Sequence, residues 1–323
     1  MNKDKKIVQF LHPGTQYSVK KDWKKNKRMP WNKDAHHRKF LKAKGQFVDG
    51  DKLSDKQELC FWGEWEPDSE LETINVNNNL KDFPNYIHKP ILKVSSEGSQ
   101  NTDPLVFGDA FYYSLCQQFR NYAQKGKQPT ALKSLERGSI ILFGSHIKET
   151  DGKEYFALDT VFVVGEYKDY QESTAEKDLK GFVPDDYYQI RMLTTHKKSS
   201  TISSSACGGG CSPTSSLPQK GCDSPSEEGN NNELLLRCYK GATFEKPIDG
   251  MYSFVPCKIA DGNGFGRVKI KISDEISGQT QGYHFIKINA TPKDLKDFWQ
   301  ELKQDVKKQG YELGVKFEYK REP

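Results

Sequence analysis

Two tryptophans and two glutamates lie within five consecutive positions, and their side chains could bind a flat ligand or transfer protons. Residues 58–70 read ELCFWGEWEPDSE and contain Trp62, Glu64, Trp65 and Glu66, although the whole chain has only five Trp. In a strand, alternate side chains point to the same face, so Trp62, Glu64 and Glu66 would lie together. An indole beside a carboxylate can stack on a nucleobase or sugar and accept its hydrogen bonds. The alternative is a tryptophan-rich core strand that ends in solvent-exposed glutamates.

The two glutamates are also candidates for proton transfer. Carboxylates two positions apart on one strand face repel each other, which can raise the pKa of one of them and make it an acid. We therefore predict Glu64 as a catalytic residue and Trp62 and Glu66 as ligand-binding residues. Trp65, on the opposite face, is predicted to be core.

The segment HHRKF, residues 36–40, places two histidines beside two cationic side chains. Arg38 and Lys39 could bind phosphate oxygens, Arg38 through its planar fork of donors. His37 could act as a general acid or base near neutral pH. The alternative is a cationic outer face that binds no ligand.

Four further polar residues lie at predicted strand ends or strand centres. His12 follows a predicted buried strand and precedes Pro-Gly, and we take it as a candidate catalytic residue or a turn histidine. Asp159 interrupts the apolar run FALDTVFVV, and a carboxylate at a strand centre must be paired or face a pocket. Arg237 and Lys240 lie near the end of a strand, so they are candidate ligand-binding residues, like Asp159, or ordinary surface charges.

Local patterns predict the elements that must position these residues. They indicate a strand at residues 7–11, a helix through residues 33–44 capped by Asn32 and ended by Gly45, and a strand at residues 58–66. Asp109 is predicted to cap a second helix, AFYYSLCQQFRNYAQ, because its apolar residues recur every three or four positions.

The second half of the chain has the clearest signals. Residues 139–167 are two β-rich segments joined by Asp151-Gly152, a hairpin signal. Short alternating strands follow residue 232. Thr291 and Pro292 then begin an amphipathic helix, and GVKFEYK is predicted as a last strand.

Residues 197–232 differ from the rest in composition, being rich in Ser, Gly, Pro and Asn. Such a segment cannot offset the entropy of ordering by burial, and we predict a flexible surface insertion. Cys207, Cys211 and Cys222 could hold zinc with a fourth ligand, but zinc sites usually contain two tight pairs and only one is present. The sequence therefore predicts no metal site.

Composition and charge narrow the class of protein. Residues 1–44 contain 14 Lys or Arg and three Asp, a net of +11, whereas the whole chain carries +5, which leaves −6 for the remainder. This asymmetry favours a polyanionic partner such as nucleic acid, or a solvated lysine-rich surface. No apolar run reaches the length of a membrane span and no signal peptide is evident, which predicts a cytoplasmic protein with reduced cysteines.

Common catalytic and cofactor motifs are not found in the sequence. There is no GxxxxGK[ST], no strand-linked GxGxxG, no HExxH and no GxSxG. P-loop nucleotide hydrolysis, dinucleotide redox chemistry and serine-hydrolase chemistry are therefore disfavoured, and we predict no cofactor.

One segment resembles a known family. SLERGSIILFGSHI and EYFALDTVFVVGEY, within residues 134–167, are similar to the central part of PUA-like β-barrels of the ASCH and EVE type. The matching positions are Gly138, Ser139, Ile140, Phe143 and Gly144, then residues 159–164, although the aspartate that usually follows the first glycine is missing here. The resemblance implies a small barrel that binds RNA, modified bases or nucleotides.

These observations predict an α+β protein with a mixed or barrel-like β-sheet and a few flanking helices. The predicted regions are 1–104, a basic region with the Trp/Glu strand; 105–196, a helix plus barrel-like sheet; 197–232, the insertion; and 233–323, strands and a helix on the same core. We predict a protein that binds nucleic acid or a nucleotide. The alternatives are an enzyme acting on a nucleotide-like or phosphorylated substrate by His/Glu acid–base chemistry, and an interaction scaffold. A pocket that gathers His12, residues 36–39 and Glu64 would favour the enzyme, so the most useful observation is whether residues 8–14, 36–40 and 61–66 converge.

Overall fold

The computed structural model of the chain describes residues 5–14, 16, 18–33, 36–74, 83–93, 100–122, 126–192 and 233–322. The predicted insertion at residues 197–232, with Cys207, Cys211 and Cys222, lies outside the described residues.

The described residues confirm the predicted α+β class with a mixed, partly closed sheet and few helices. The strands are β1 (Lys5–Leu11), β2 (Arg28–Met29), β3 (Lys39–Asp49), β4 (Lys52–Leu53), β5 (Gln57–Gly63), β6 (Ser69–Thr73), β7 (Tyr86–Lys93), β8 (Tyr112–Tyr113), β9 (Phe119–Tyr122), β10 (Gly126–Pro129), β11 (Ile140–Lys148), β12 (Glu154–Gln171), β13 (Leu235–Gly241), β14 (Val255–Ile259), β15 (Val268–Ile270), β16 (Gly282–Ala290), β17 (Glu312–Phe317) and β18 (Lys320–Glu322). The helices are α1 (Lys21–Asn26), α2 (Ala175–Leu179), α3 (Asp185–Tyr187) and α4 (Pro292–Lys308), with a 3-10 turn at Ala131–Ser134 and a π turn at Tyr188–Met192.

The first sheet has the order β16-β1-β11-β12-β13-β8, and β15 also pairs with β12. β1 runs parallel to β11, while the other neighbours are antiparallel. Strand β1 is nearly continuous in apolar residues because a strand with neighbours on both edges and cover on both faces has no solvent-facing side. Its last residue, Leu11, pairs with Gly144, so the chain leaves the sheet at His12.

The second sheet has the order β17-β14-β5-β3-β7-β6-β2, and β17 pairs back onto β3. Strands β3, β5, β14 and β17 therefore close a small four-stranded barrel. Gly45 permits this closure, because a Cβ there would lie 2.4 Å from the carbonyl oxygen of Lys316. The largest hydrophobic cluster contains side chains of both sheets, among them Phe10, Phe61 and Phe143, so the sheets share a core.

The first predicted helix, through residues 33–44, is wrong. Its second half is the start of β3, paired with β5, and Gly45 lies inside the strand rather than at a helix end. Leu41 and Ala43 are buried, and together with Gly45 they follow the two-residue period of a strand. Long-range pairing to β5 and β17 outweighs the local helical signal.

The second predicted helix, residues 110–124 capped by Asp109, is also wrong. The described part of this segment contains the short strands β8 and β9 with a turn between them. The turn is held by Asp103, whose carboxylate accepts hydrogen bonds from the backbone N–H groups of Ser114, Leu115 and Cys116. A buried carboxylate that binds three N–H groups favours a turn over the helix that local spacing suggested.

Other predicted elements are present. β11 and β12 form the hairpin around Asp151-Gly152, and Gly152 takes a positive φ of 85°. Helix α4 begins with a capping box in which Thr291 and Asp294 exchange hydrogen bonds, and it buries Trp299 against the rest of the protein. Among the described residues, no helix combines the length and apolar character needed to cross a membrane.

Candidate functional site

The antiparallel pairing of β3 with β5 brings the two sequence segments with the most chemistry together. Lys39, the first residue of β3, pairs with Gly63, the last residue of β5. One position beyond this pair, Arg38 faces Glu64, and the Nη1 of Arg38 donates to the Oε2 of Glu64 at 3.2 Å. The loops that leave the two strands therefore continue side by side and place residues 36–38 against residues 64–66.

His36 lies between the two carboxylates. Its Nδ1 is 3.2 Å from the Oε1 of Glu64 and 3.4 Å from the Oε1 of Glu66. The side chains of Glu64 and Glu66 are 2% and 0% exposed, whereas that of His36 is 23% exposed. Solvent therefore reaches this group of residues at His36.

His12 approaches Glu64 from the first sheet. Its backbone N–H donates to the carbonyl oxygen of Gly144, which fixes it at the end of β1. The ring stacks on Phe143 with centroids 5.6 Å apart, and its Nδ1 is 3.8 Å from the Oε2 of Glu64. Neither ring nitrogen has a hydrogen-bond partner among the described residues.

A β-bulge directs the side chain of Asp159 toward Arg38. Phe143 pairs with Thr160 but Gly144 pairs with Leu158, so Asp159 is the extra residue of β12. Such bulges bend a strand and redirect a side chain. The Oδ2 of Asp159 lies 3.3 Å from the Nε of Arg38, and its Oδ1 lies 3.8 Å from the Nε of Arg267.

Together these residues form a buried row of alternating charges, which we call the charged cluster. Along the row, Arg267 pairs with Asp159, Asp159 with Arg38, and Arg38 with Glu64, which in turn contacts His36 beside Glu66. Members of the charged cluster are His12, His36, Arg38, Glu64, Glu66, Asp159 and Arg267.

Residues outside the charged cluster hold its carboxylates in position. Asn32 donates its side-chain N–H to the Oε2 of Glu66, and its backbone N–H donates to the carbonyl oxygen of Glu66 at 2.7 Å. The backbone N–H of Glu66 donates to the Oγ1 of Thr102 at 3.0 Å, and that of Asp103 to the Oε1 of Glu64 at 3.2 Å. Asn32 thus binds the carboxylate oxygen of Glu66 that is not in contact with His36, whereas the N–H of Asp103 binds the same oxygen of Glu64 that contacts His36.

The two histidines have opposite protonation preferences. Burial, helped by the charge of Arg38, lowers the pKa of His12 to about 3, so this ring is neutral. Burial alone would also lower the pKa of His36, but Glu64 and Glu66 outweigh it and raise the pKa to about 11. Burial likewise opposes ionisation of Glu64, yet the charges of His36 and Arg38 hold the pKa of Glu64 well below its usual range.

Trp62, a predicted ligand-binding residue, packs in the core instead. Trp62 is only 5% exposed; its indole packs on Phe40, lies under the guanidinium of Arg267, and donates to the carbonyl oxygen of Phe265. The idea of Trp62 as an exposed stacking plate is therefore wrong, and Trp62 belongs to the core together with Trp65, which is fully buried as predicted.

The predicted cations other than Arg38 have separate partners. Lys39 is fully buried and donates its Nζ to the carbonyl oxygen of Trp65, so it does not present a charge at the surface. Arg237 forms a two-bond ion pair with Asp169, and Lys240 of β13 lies opposite Glu166 of β12 in the strand register.

The sequence predicts most residues of the charged cluster, but not all of them. His12, Arg38, Glu64, Glu66 and Asp159 were predicted, and the structure brings them together. His36, rather than the predicted His37, contacts both glutamates. The pairing register of β3 with β5, and not a helix, decides which of the two histidines lies beside them. Asn32 and Arg267 were not predicted as site residues, and their contacts depend on segments distant in sequence.

Two cavities among the described residues lie away from the charged cluster. One cavity of about 440 Å³ lies between β16, the residues after β15 and α4, and another of about 570 Å³ lies beside α1 and β6. None of their lining residues belongs to the charged cluster.

Comparisons with protein-family models, with curated proteins and with solved structures found no match for this chain. The resemblance to PUA-like barrels over residues 134–167 stays a prediction. Those residues form β11 and β12 of the first sheet, whereas the closed barrel consists of β3, β5, β14 and β17.

Proposed function

We propose that the protein is an enzyme that acts on a nucleotide-like or phosphorylated substrate at the charged cluster. The observation that carries this proposal is the convergence of His12, His36, Arg38 and Glu64 from three segments that are far apart in sequence. Acid–base catalysis requires titratable groups gathered around the reacting atoms, and catalytic hydrogen bonds are often longer in a protein without its substrate. A cytoplasmic location, predicted from the sequence, is part of this proposal.

His12 would act as the proton acceptor and Glu64 as the residue that orients it. The ring of His12 is fixed by Phe143 on one side, and its Nδ1 faces the Oε2 of Glu64 at 3.8 Å. This arrangement leaves Nε2 for a substrate proton. Buried polar atoms without partners cost stability, and proteins retain them mainly where they serve function or contact a ligand.

Arg38 would bind an anionic group of the substrate. Its Nη1 and Nε lie against Glu64 and Asp159, while its Nη2 has no hydrogen-bond partner among the described residues. A guanidinium held by carboxylates on two sides presents its remaining donor in a fixed direction, which suits a phosphate oxygen.

A separate observation favours nucleic-acid binding as a second candidate. Around α1, Lys20, Lys21, Lys24, Lys25 and Lys27 are all exposed. A concentration of exposed lysines can bind a phosphate backbone by releasing counterions. Arg28 contributes less to such a surface because it is paired with Asp68 and Glu322.

A turnover assay separates the two candidates. The full chain would be incubated with p-nitrophenyl phosphate, bis(p-nitrophenyl) phosphate, the four nucleoside triphosphates and labelled single-stranded DNA and RNA. We expect product from at least one of these probes, and His12→Gln should lower kcat about 100-fold or more, as removal of a general base does. His146→Gln is the matched control, because His146 pairs with Glu154 outside the charged cluster.

The outcomes are distinct. Binding of DNA or RNA without any product, weakened steeply by salt and by Lys24→Gln with Lys25→Gln and Lys27→Gln, would favour the nucleic-acid-binding candidate. Product formation that His12→Gln and His146→Gln leave equally fast would contradict the proposed site.

A further inference from the structure

We propose that the charged cluster is a divalent-cation site, in which one ion is bound by the Nδ1 of His36, the Oε1 of Glu64 and the Oε1 of Glu66. This inference deepens the proposed function, and any role of the ion in turnover rests on that function. Ion binding itself can be measured independently.

The spacing of the three atoms fits a single ion. One ligand atom from each of the three residues lies within 4.8 Å of the other two, and the Nδ1 of His36 is 3.2 Å and 3.4 Å from the two carboxylate oxygens. Protein ligands that bind a zinc-sized ion at about 2.0–2.1 Å in tetrahedral geometry are about 3.3 Å apart. The observed separations thus correspond to two edges of such a coordination shell without any rearrangement.

A second observation points to a ligand among these residues. The Oε1 of Glu66 is buried without a hydrogen-bond donor among the described residues, and so are both ring nitrogens of His12, a side chain that faces Glu64. Two buried carboxylates so close to each other are costly unless positive charge compensates them. His36 and Arg38 supply that charge in the structure, and a divalent cation between Glu64 and Glu66 would replace the Nδ1 proton of His36 as its source.

The surrounding residues orient the proposed ligands in the manner of a metal site. Asn32 holds the Oε2 of Glu66, the oxygen that faces away from His36. Arg38 donates to the Oε2 of Glu64, and the N–H of Asp103 donates to its Oε1, the oxygen that contacts His36. Residues that hydrogen-bond the far side of metal ligands fix the ligands' orientation and contribute to affinity.

The donor set favours Mn²⁺ or Zn²⁺ over Mg²⁺ or Ca²⁺. Imidazole nitrogen suits transition metals, whereas the harder ions prefer oxygen ligands throughout. Three protein ligands leave at least one coordination position open, as in catalytic sites. That position would be reached from the side of His36, the residue of the three with an exposed fraction, 23%. A water or a phosphate oxygen of the substrate could occupy it.

Mn²⁺ is the better probe, because the thiols of Cys207, Cys211 and Cys222 could bind Zn²⁺ but have little affinity for Mn²⁺. The full chain would be freed of metal with EDTA, dialysed and titrated with Mn²⁺ by calorimetry, with free Mn²⁺ followed by electron paramagnetic resonance. We expect one ion per chain. Glu66→Gln, which keeps the shape of the side chain, should weaken binding about 100-fold or more, and Asn32→Ala about 10–100-fold, the usual range for residues behind the ligands.

The matched control is His146→Ala. His146 and Glu154 also form a close pair, with 3.2 Å between Nε2 and Oε2, but a second carboxylate does not complete a three-ligand group there among the described residues. We expect His146→Ala to bind Mn²⁺ as the unaltered chain does, while His36→Ala loses binding. Circular dichroism would establish that each variant is folded.

Failure of the inference and failure of the proposed function give different results. No Mn²⁺ binding at millimolar concentration, or binding that persists in folded His36→Ala and Glu66→Gln, would overturn the cation site, even if the EDTA-treated chain turns over a phosphate probe. Site-dependent Mn²⁺ binding without turnover of any probe would support the cation site and count against the proposed function.

Discussion

Two buried charged networks meet at Asp103, and they differ in how completely their polar atoms are paired. In the first, the charged cluster, the backbone N–H of Asp103 binds Glu64. We call the second the Asp103 network. In it, the carboxylate of Asp103 accepts hydrogen bonds from the backbone N–H groups of residues 114–116 at 2.8–2.9 Å. The Oγ of Ser114 then accepts from the Nε of Arg191 at 2.9 Å and from the hydroxyl of Tyr187.

The charged cluster is paired less completely. Both ring nitrogens of His12, the Nη2 of Arg38 and the Oε1 of Glu66 are buried without a hydrogen-bond partner among the described residues. A buried polar group that is fully hydrogen-bonded rigidifies a fold, whereas one left partly unpaired costs free energy of unfolding. This difference is what we expect if the Asp103 network serves folding and the charged cluster, as proposed, binds a ligand.

The largest loss of stability should come from disrupting the Asp103 network. Asp103→Ala removes the acceptor of three N–H groups and leaves the buried Arg191 without its nearby negative charge, so we expect a loss of about 3–5 kcal/mol in the free energy of unfolding. Urea denaturation of the purified variant measures this loss. Asp109→Ala, at an exposed carboxylate a few residues along, should change stability by less than about 0.5 kcal/mol. Similar values for both variants would remove the distinction between the networks.

A substitution of His12 in the charged cluster should raise the stability instead of lowering it. His12→Leu replaces a buried ring that has no hydrogen-bond partner with an apolar side chain beside Phe10 and Phe143, and we expect stability to rise by about 1 kcal/mol while activity is lost. His88 is the matched control, because it is equally buried but its Nδ1 lies 3.1 Å from the Oγ of Ser69. His88→Leu should lower stability by about 1–3 kcal/mol, since it leaves a hydroxyl unpaired. Parallel losses in both urea titrations would show that His12 is a structural histidine.

Local signals in the sequence predicted some elements and not others, for a physical reason. Thr291 and Asp294 form their capping box within four residues, and Asp151-Gly152 closes its own turn, so both depend only on near neighbours. Residues 33–44 and 110–124 have helical spacing, yet their hydrogen bonds are with β5 and with Asp103. Tertiary pairing outweighs local propensity in both segments.

The same limit applies to the site. The residue types at Arg38 and Glu64 indicate phosphate binding and proton transfer, and Asp159 interrupts an apolar run, where a carboxylate needs a partner or a pocket. Their arrangement depends on the β3–β5 register and on the bulge at Asp159, and neither can be read from local sequence. For that reason His36 was passed over in favour of His37, and Trp62 was expected to face a ligand although it is core.

The smallest expected effect on stability comes from removing one buried hydroxyl that has a hydrogen-bond partner and one that has none. The hydroxyl of Tyr187 donates to the Oγ of Ser114 within the Asp103 network, whereas the hydroxyl of Tyr252 is buried with no hydrogen-bond partner among the described residues. Both rings pack on aromatic neighbours, Tyr187 on Tyr112 and Tyr252 on Trp299. Replacement by Phe removes only the oxygen, so Tyr187→Phe should lower the free energy of unfolding by about 1 kcal/mol. Tyr252→Phe should leave it unchanged or raise it slightly, because a buried hydroxyl without a partner contributes only its desolvation cost. Paired urea titrations measure the difference between the two variants. An equal loss in both would mean that hydrogen-bond pairing does not decide which buried polar groups stabilise this fold, and the contrast between the Asp103 network and the charged cluster would lose its energetic basis.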